Sequence, residues 1–253
     1  MGGPIMINKR YNYLLDVKSK KGAGFLCLID PDNQPPAESL KLAKKCATSG
    51  ADTILVGGSL MIKDNFNETV SLLKDELDIP IIVFPGIFNF VSPDADAILL
   101  LSMMSSRNPQ LLIGEQVRAA PLIKQYGVES IPTGYFLIQS NSYTSVQFMS
   151  QSNPIPRNKA DIAISHALAA QYLGMKLVFF DGGSGAKLSV PTDLIKSVSA
   201  EIDIPLMIGG GIRSPEVARE KVEAGADFIV IGTAFEENNS NNLIKEFAEA
   251  IHK

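Results

Sequence analysis

Three glycine-bearing segments and one pair of oxygen-rich turns are the places where this chain has the residue types for chemistry. Ile208-Gly209-Gly210-Gly211-Ile212-Arg213-Ser214-Pro215-Glu216 sets three residues without side chains ahead of Ser214 and Pro215, a cap and first-turn pair for a helix. Ile231-Gly232-Thr233-Ala234 offers a second set of approachable amides, and such N–H groups at a helix start attract phosphate. Glycines placed only for tight turns would look the same. In Phe179-Phe180-Asp181-Gly182-Gly183-Ser184-Gly185-Ala186 an apolar run ends on an acid and continues into a hydroxyl-bearing loop. Asp181 is suited to take a proton from a substrate hydroxyl or to hold that hydroxyl, and Ser184 with its neighbouring amides to touch phosphate; capping the turn is its other use. Upstream, Leu28-Ile29-Asp30-Pro31-Asp32 and Gly57-Gly58-Ser59 bring hard oxygen donors of the kind Mg2+ takes alongside water and phosphate oxygens, although Asp-Pro-Asp is also a common turn. His166 and His252 have no paired ligand spacing.

Elements that end in these loops must bring them together. Eight short apolar runs, at 24–30, 53–57, 81–84, 97–101, 134–138, 177–181, 206–209 and 228–232, alternate with amphipathic stretches. Their near-continuous apolarity fits parallel strands covered on both faces. Gly50-Ala51-Asp52 before Thr53-Ile54-Leu55-Val56-Gly57 echoes Gly225-Ala226-Asp227 before Phe228-Ile229-Val230-Ile231-Gly232, and Asp78-Ile79-Pro80 echoes Asp203-Ile204-Pro205. The expectation is an α/β chain folded as one (β/α)8 TIM barrel over residues 1–253, a length that architecture typically needs. A doubly wound open sheet would carry its signature glycines after the first strand, whereas here they follow the sixth, seventh and eighth.

Two connections depart from a regular barrel. Between Phe84 and Ala97 the chain holds Pro85, Gly86 and Pro93 with no helical stripe, so the outer helix after strand three is expected to be missing or irregular. The gap would be floored by Ile87, Phe88, Phe90 and Val91, or else the segment is a short loop packed on the barrel. The stretch 139–158, rich in Ser, Asn, Gln and Pro and carrying Tyr143, reads as a mobile lid.

Composition excludes several classes. A net charge of −4 without lysine or arginine blocks outlines no nucleic-acid footprint. Cys27 and Cys46 form no disulfide framework, which fits a reducing cytosol. No apolar run approaches the roughly 20 residues of a membrane span, and no signal peptide opens the chain, so a soluble protein is expected.

Taken in order, Asp30-Pro31-Asp32, Gly57-Gly58-Ser59, Asn108-Pro109-Gln110-Leu111-Leu112-Ile113-Gly114, Tyr172-Leu173-Gly174-Met175-Lys176, Gly183-Ser184-Gly185-Ala186, Gly209-Gly210-Gly211-Ile212-Arg213 and Gly232-Thr233 resemble the geranylgeranylglyceryl phosphate synthases and their bacterial relatives. The resemblance covers nearly the whole chain. It implies transfer of a prenyl group from a prenyl diphosphate to the sn-3 hydroxyl of sn-glycerol 1-phosphate, with release of diphosphate. On that reading Mg2+ sits at Asp30 and Ser59. Glycerol phosphate rests on Phe179, Phe180, Asp181, Gly182, Gly183, Ser184 and Gly185, on Gly210 and Gly211, and on Gly232 and Thr233. Asp181 deprotonates the hydroxyl, and the gap after strand three admits the apolar tail. A homo-oligomer, a cytoplasmic location and passing contact with a membrane surface during product release are further implications. One departure stands out, since the family's usual Tyr-x-Glu is Phe179-Phe180-Asp181 here, without the phenol and with a carboxylate one methylene shorter. Two rival readings remain open: a sugar-phosphate isomerase or synthase barrel, which needs the phosphate loops but no diphosphate metal, and a relative that binds glycerol phosphate without turnover.

Overall fold

The branched and aromatic side chains of the eight apolar runs fill both faces of a pleat, and each run is a strand. The structure, a computed structural model, describes residues 8–58, 61–85, 90–237 and 240–252. In chain order the elements are α1 (Lys9–Lys21), β1 (Gly24–Ile29), α2 (Pro36–Thr48), β2 (Thr53–Val56), α3 (Phe66–Glu76), β3 (Ile81–Val83), β4 (Ala97–Met103), α4 (Glu115–Tyr126), β5 (Glu129–Leu137), α5 (Ser145–Ser150), α6 (Ala160–Tyr172), β6 (Leu177–Asp181), α7 (Thr192–Ser199), β7 (Leu206–Gly209), α8 (Pro215–Glu223), β8 (Phe228–Ile231), α9 (Thr233–Glu237) and α10 (Asn241–Ile251). A wide π turn, Gln110–Gly114, leads straight into α4.

Each strand pairs in parallel with the next, and β8 closes on β1 with Gly24 opposite Phe228 and Cys27 opposite Ile231. A side chain at Gly24 would put its Cβ 2.7 Å from the Phe228 ring, so glycine is what lets the seam close. Pleat alternation then divides the core. Leu26, Leu55, Leu99, Ile131, Met207 and Phe228 fill the barrel, while Phe25, Ile54, Phe136, Phe180 and Ile229 pack between barrel and helices.

The N-terminal end of the barrel is shut by α1, an element the strand pattern did not announce. Leu14 enters the interior cluster. Lys21 pairs with Asp52 at 2.6 Å, Lys18 with Asp227 at 2.8 Å, and Arg10 with Asp96. The Glu129 carboxylate accepts the free amides of Arg10 and Tyr11 at 2.7 and 2.9 Å, where an acid complements a helix start. The same acids stitch neighbouring strands. Asp52, Asp96 and Asp227, each just before or at an even-numbered strand, accept the amides of Phe25, Ile81 and Leu206 on the strand before, at 2.8, 2.9 and 2.8 Å. The two Gly-Ala-Asp echoes are therefore copies of one barrel-floor device.

Between β3 and β4 the described residues form no helix, as the prolines require. Ile87 and Phe88 lie outside the described residues; Phe90 packs at a tilt against Phe66 of α3, with ring centroids 5.7 Å apart, and Val91 packs on the same outer layer. β5 starts five residues before the apolar run that announces it, because Ser130, Pro132 and Thr133 mask a strand paired with β4 from Glu129 onward. The expected lid at 139–158 contains α5, capped by Thr144, and is tied down by a bridge between Ile138 and Ile155.

Burial pushes the Asp52 carboxyl up, but His252, Lys21 and the Phe25 amide outweigh burial and hold it below the usual carboxylate value. A carboxyl depressed by folding adds stability above its unfolded pKa, and that stability is lost as pH falls through the folded value. Asp52→Asn should thus lower stability at pH 7 by on the order of 2 kcal/mol, with the gap to wild type closing as pH falls below about 4. Scanning calorimetry across pH reads both effects.

Candidate active site

Because all strands are parallel, their C-terminal ends share one face, and the loops after β1, β2, β6, β7 and β8 enclose a cavity of about 760 Å³ including its open mouth. Asp181, Gly183, Ser184, Gly185, Gly210, Gly211, Gly232 and Thr233 line it together with Asp30.

The glycines on the phosphate side do more than one job. Gly210 and Gly211 have φ of +76° and +69°, conformations that other residues adopt at a cost. A Cβ on Gly211 would lie 2.7 Å from the Ser189 amide nitrogen, and one on Gly210 would meet the Asp181 carboxylate, so bare backbone lets the β6 and β7 loops touch. Gly232 is different. Its φ is not positive, and a Cβ there would make only ordinary 3.4 Å contact with Leu28, so local packing does not demand glycine where this residue faces the cavity. Thr233 opens α9, whose first amides have no partner within the helix.

At the end of β6, Asp181 is 8% exposed. Its Oδ1 accepts the Gly183 amide at 2.8 Å and its Oδ2 accepts the hydroxyl of Tyr135, from β5, at 2.5 Å. Burial pushes the carboxyl above its ordinary value, and the two hydrogen bonds pull it back only in part. Such a group can take a proton without losing its orientation.

Two expected ligand residues are turned away from this site. Phe180 follows the pleat outward and packs edge-on against Phe136 at 5.4 Å, so its side chain does not reach the cavity. Gly182 gives its amide to the Gly209 carbonyl at 3.0 Å, which extends the β6–β7 ladder and leaves no donor for phosphate. Ser59, the second expected metal ligand, lies outside the described residues.

Across the cavity, burial first, and then the charges of Glu236 and Asp32, push the Asp30 carboxyl up to about 6, against the Asp32 amide at 3.0 Å and Lys63. Gly58 makes room for it, since a Cβ there would overlap the carboxylate. A carboxylate that is desolvated and faces another acid is stabilised by an incoming cation, and its hard oxygen suits Mg2+. Among the described residues no three acids, histidines or cysteines cluster, so the remaining donors would be hydroxyl, water and phosphate oxygens. Asp32 is not in this set: its carboxylate accepts the amides of Ile62 and Lys63 and pins the loop after β2. Tyr135, Phe84 and Glu236 were missed by motif reading. For Tyr135 a signal existed, because counting alternate residues back from Leu137 puts Tyr135 inside the barrel.

Residues 15–251 match the PcrB family. The chain belongs to that family. The geranylgeranylglyceryl phosphate synthase of Chitinophaga pinensis is 46% identical over 98% of this chain and 97% of its own length, and that of Methanosphaera stadtmanae is 41% identical over 95% and 98%. In three dimensions the PcrB-family chain is similar to the (S)-3-O-geranylgeranylglyceryl phosphate synthase of Thermoplasma acidophilum, solved in complex with its substrate sn-glycerol-1-phosphate. The TM-score is 0.91 and the identity 36%, covering 96% of this chain and 98% of that one.

An Asp30 pKa of about 6 means that the folded state holds the proton more tightly than the unfolded chain, so Asp30 lowers stability as pH rises from about 4 through 6. Asp30→Asn should therefore raise the metal-free melting temperature at pH 8 and change it little at pH 4. Differential scanning fluorimetry in chelator distinguishes this from an ordinary surface substitution, which would act equally at both.

Proposed function

We propose that this protein is a prenyltransferase that joins a prenyl diphosphate to the sn-3 hydroxyl of sn-glycerol 1-phosphate, giving an ether-linked glycerol phosphate and diphosphate. The observation that carries the reading is one cavity with a hydrogen-bonded carboxylate, Asp181, set beside bare glycine amides on one side, and a desolvated carboxylate, Asp30, on another. The full-length match to synthases, and a similar protein that binds sn-glycerol-1-phosphate, favour it over a sugar-phosphate isomerase.

Gly210, Gly211, Gly232, Thr233, Ser184 and Gly185 would hold the phosphate, and Asp181 the hydroxyl. As the new carbon–oxygen bond forms at the prenyl C1, the bond from C1 to the diphosphate oxygen breaks, and Asp181 takes the hydroxyl proton. Mg2+ held by Asp30 and Ser59 would neutralise charge on the departing diphosphate. Prealigned donors and acceptors of this kind lower the barrier because they need no reorganisation.

No described helix is long and apolar enough to cross a membrane. Two free, buried thiols agree with a cytoplasmic location, and Ile113 and Val117, exposed beside and along α4, agree with a homo-oligomer or a passing membrane contact.

Radiolabelled sn-glycerol 1-phosphate incubated with a panel of prenyl diphosphates and Mg2+ should yield label extractable into organic solvent. If every donor fails while glycerol phosphate still binds, the protein is a binder and not a transferase. By calorimetry, Asp30→Asn should lose Mg2+-dependent prenyl diphosphate binding and keep glycerol phosphate binding. Asp181→Glu should lower turnover, since even a Cβ on Gly210 would fall 2.5 Å from the Asp181 carboxylate, which leaves little room there, and another methylene displaces the carboxylate by about 1 Å, worth roughly a hundredfold in rate. An Asp181→Asn variant as active as wild type would remove Asp181 from the proton transfer.

A further inference from the structure

Tyr135 stands one layer behind the cavity wall, 1% exposed, with its hydroxyl on Asp181 Oδ2 at 2.5 Å. Its ring is gripped edge-on by Phe179 at 5.4 Å and tilted against Phe84 at 5.9 Å. Parallel register sets Tyr135 opposite Phe179 and Leu137 opposite Asp181, so the phenol reaches the carboxylate along the inner face of the barrel. A tyrosine so held has almost no freedom to move its oxygen.

Asp181 meets one donor on each oxygen, the Gly183 amide and the Tyr135 hydroxyl, and each oxygen keeps a lone pair for a third partner. Two donors on opposite oxygens fix the plane of the carboxylate. They also oppose burial, which alone drives a carboxyl to its neutral form, and a neutral acid cannot accept a proton. The other charged groups on the cavity are Asp30 after β1, Arg213 after β7 and Glu236 on α9; Arg213 is paired with Glu237 at 2.7 Å, and what perturbs Asp181 is burial, Tyr135 and Gly183.

We infer that Tyr135 is a positioning residue for the proposed transfer: its hydroxyl, delivered from β5, holds the Asp181 carboxylate ionised and aimed at the acceptor hydroxyl. This inference rests on the proposed function for its kinetic consequence, and on the structure alone for its effect on Asp181.

Tyr135→Phe tests it with the ring packing preserved. Circular dichroism should show the wild-type fold, and the dissociation constant for sn-glycerol 1-phosphate should stay within about twofold, since no phosphate-facing amide changes. Turnover should fall by roughly tenfold to a hundredfold, and the acidic limb of kcat/KM should move up by on the order of one pH unit, because a donor to the charged form is lost. In an Asp181→Asn background the same substitution should add nothing; a further loss of the same size there would mean that Tyr135 acts independently of Asp181 and overturns the inference. A readout free of activity separates the two readings. The Asp181 carboxyl, assigned by its disappearance from the carbon NMR spectrum of Asp181→Asn, should titrate at higher pH in Tyr135→Phe. If wild type transfers no prenyl group but that titration moves, the functional reading fails and the Tyr135 contact stands. If the titration does not move, the inference fails whatever the rate.

Discussion

Closure of the sheet between β1 and β8 is the constraint on which everything else in this protein hangs. Once the seam is shut, alternate residues of every strand have one choice of side, and eight parallel strands have one end each at either rim. The seam is tight at Gly24, where a Cβ would fall 2.7 Å from the Phe228 ring. From it follow the packed interior that sets Tyr135 against Phe179, the outer layer that takes Phe180, and the shared rim where the loops after β6, β7 and β8 can offer amides to one ligand.

How legible these features are in the sequence depends on how local they are. The strand positions could be read, since each rests on a few neighbouring residues, and the lack of a helix among the described residues between β3 and β4 could be read from Pro85 and Pro93. The loops 183–185, 210–211 and 232–233 could be placed on one rim for the same reason. Phe180 and Gly182 could not be separated from their neighbours by motif, because a quoted run ignores the pleat that alternates their directions. Tyr135 and Asp181 are 46 positions apart, and only the β5–β6 register makes them partners. The early start of β5 was hidden by Pro132 and its polar neighbours. α1 is of the same kind: its worth lies in acids 31 to 209 residues away, from Asp52 facing Lys21 to Asp227 facing Lys18, and nothing in its own composition points to them.

The acids at the two rims have opposite fates. On the N-terminal rim Asp52, Asp96 and Asp227 each meet a lysine or arginine from α1 and a strand amide, and for Asp52 the outcome is a carboxyl held below its ordinary value. On the C-terminal rim Asp181 is buried and Asp30 half-buried, each with hydrogen bonds but, among the described residues, without an ion-paired cation, and both carboxyls are pushed up. Neither arrangement follows from burial alone, since all of these acids are largely buried or half-buried. The difference is the partner the fold supplies.

An acid satisfied within the chain has little left to offer a ligand, whereas one left short of positive charge favours the folded state less until something else supplies it. That asymmetry separates the two ends of the barrel more firmly than any motif does. The floor is arranged for stability. On the proposed function, the rim bearing Asp30 and Asp181 gives up stability for sites where a cation or a substrate proton would be the missing partner, which is where chemistry on a parallel barrel belongs. Tyr135 sits at the boundary between these two demands. Its ring is core and contributes to packing, while its hydroxyl holds one of the costly carboxylates by a hydrogen bond and, on the inferred role, in the form that can react.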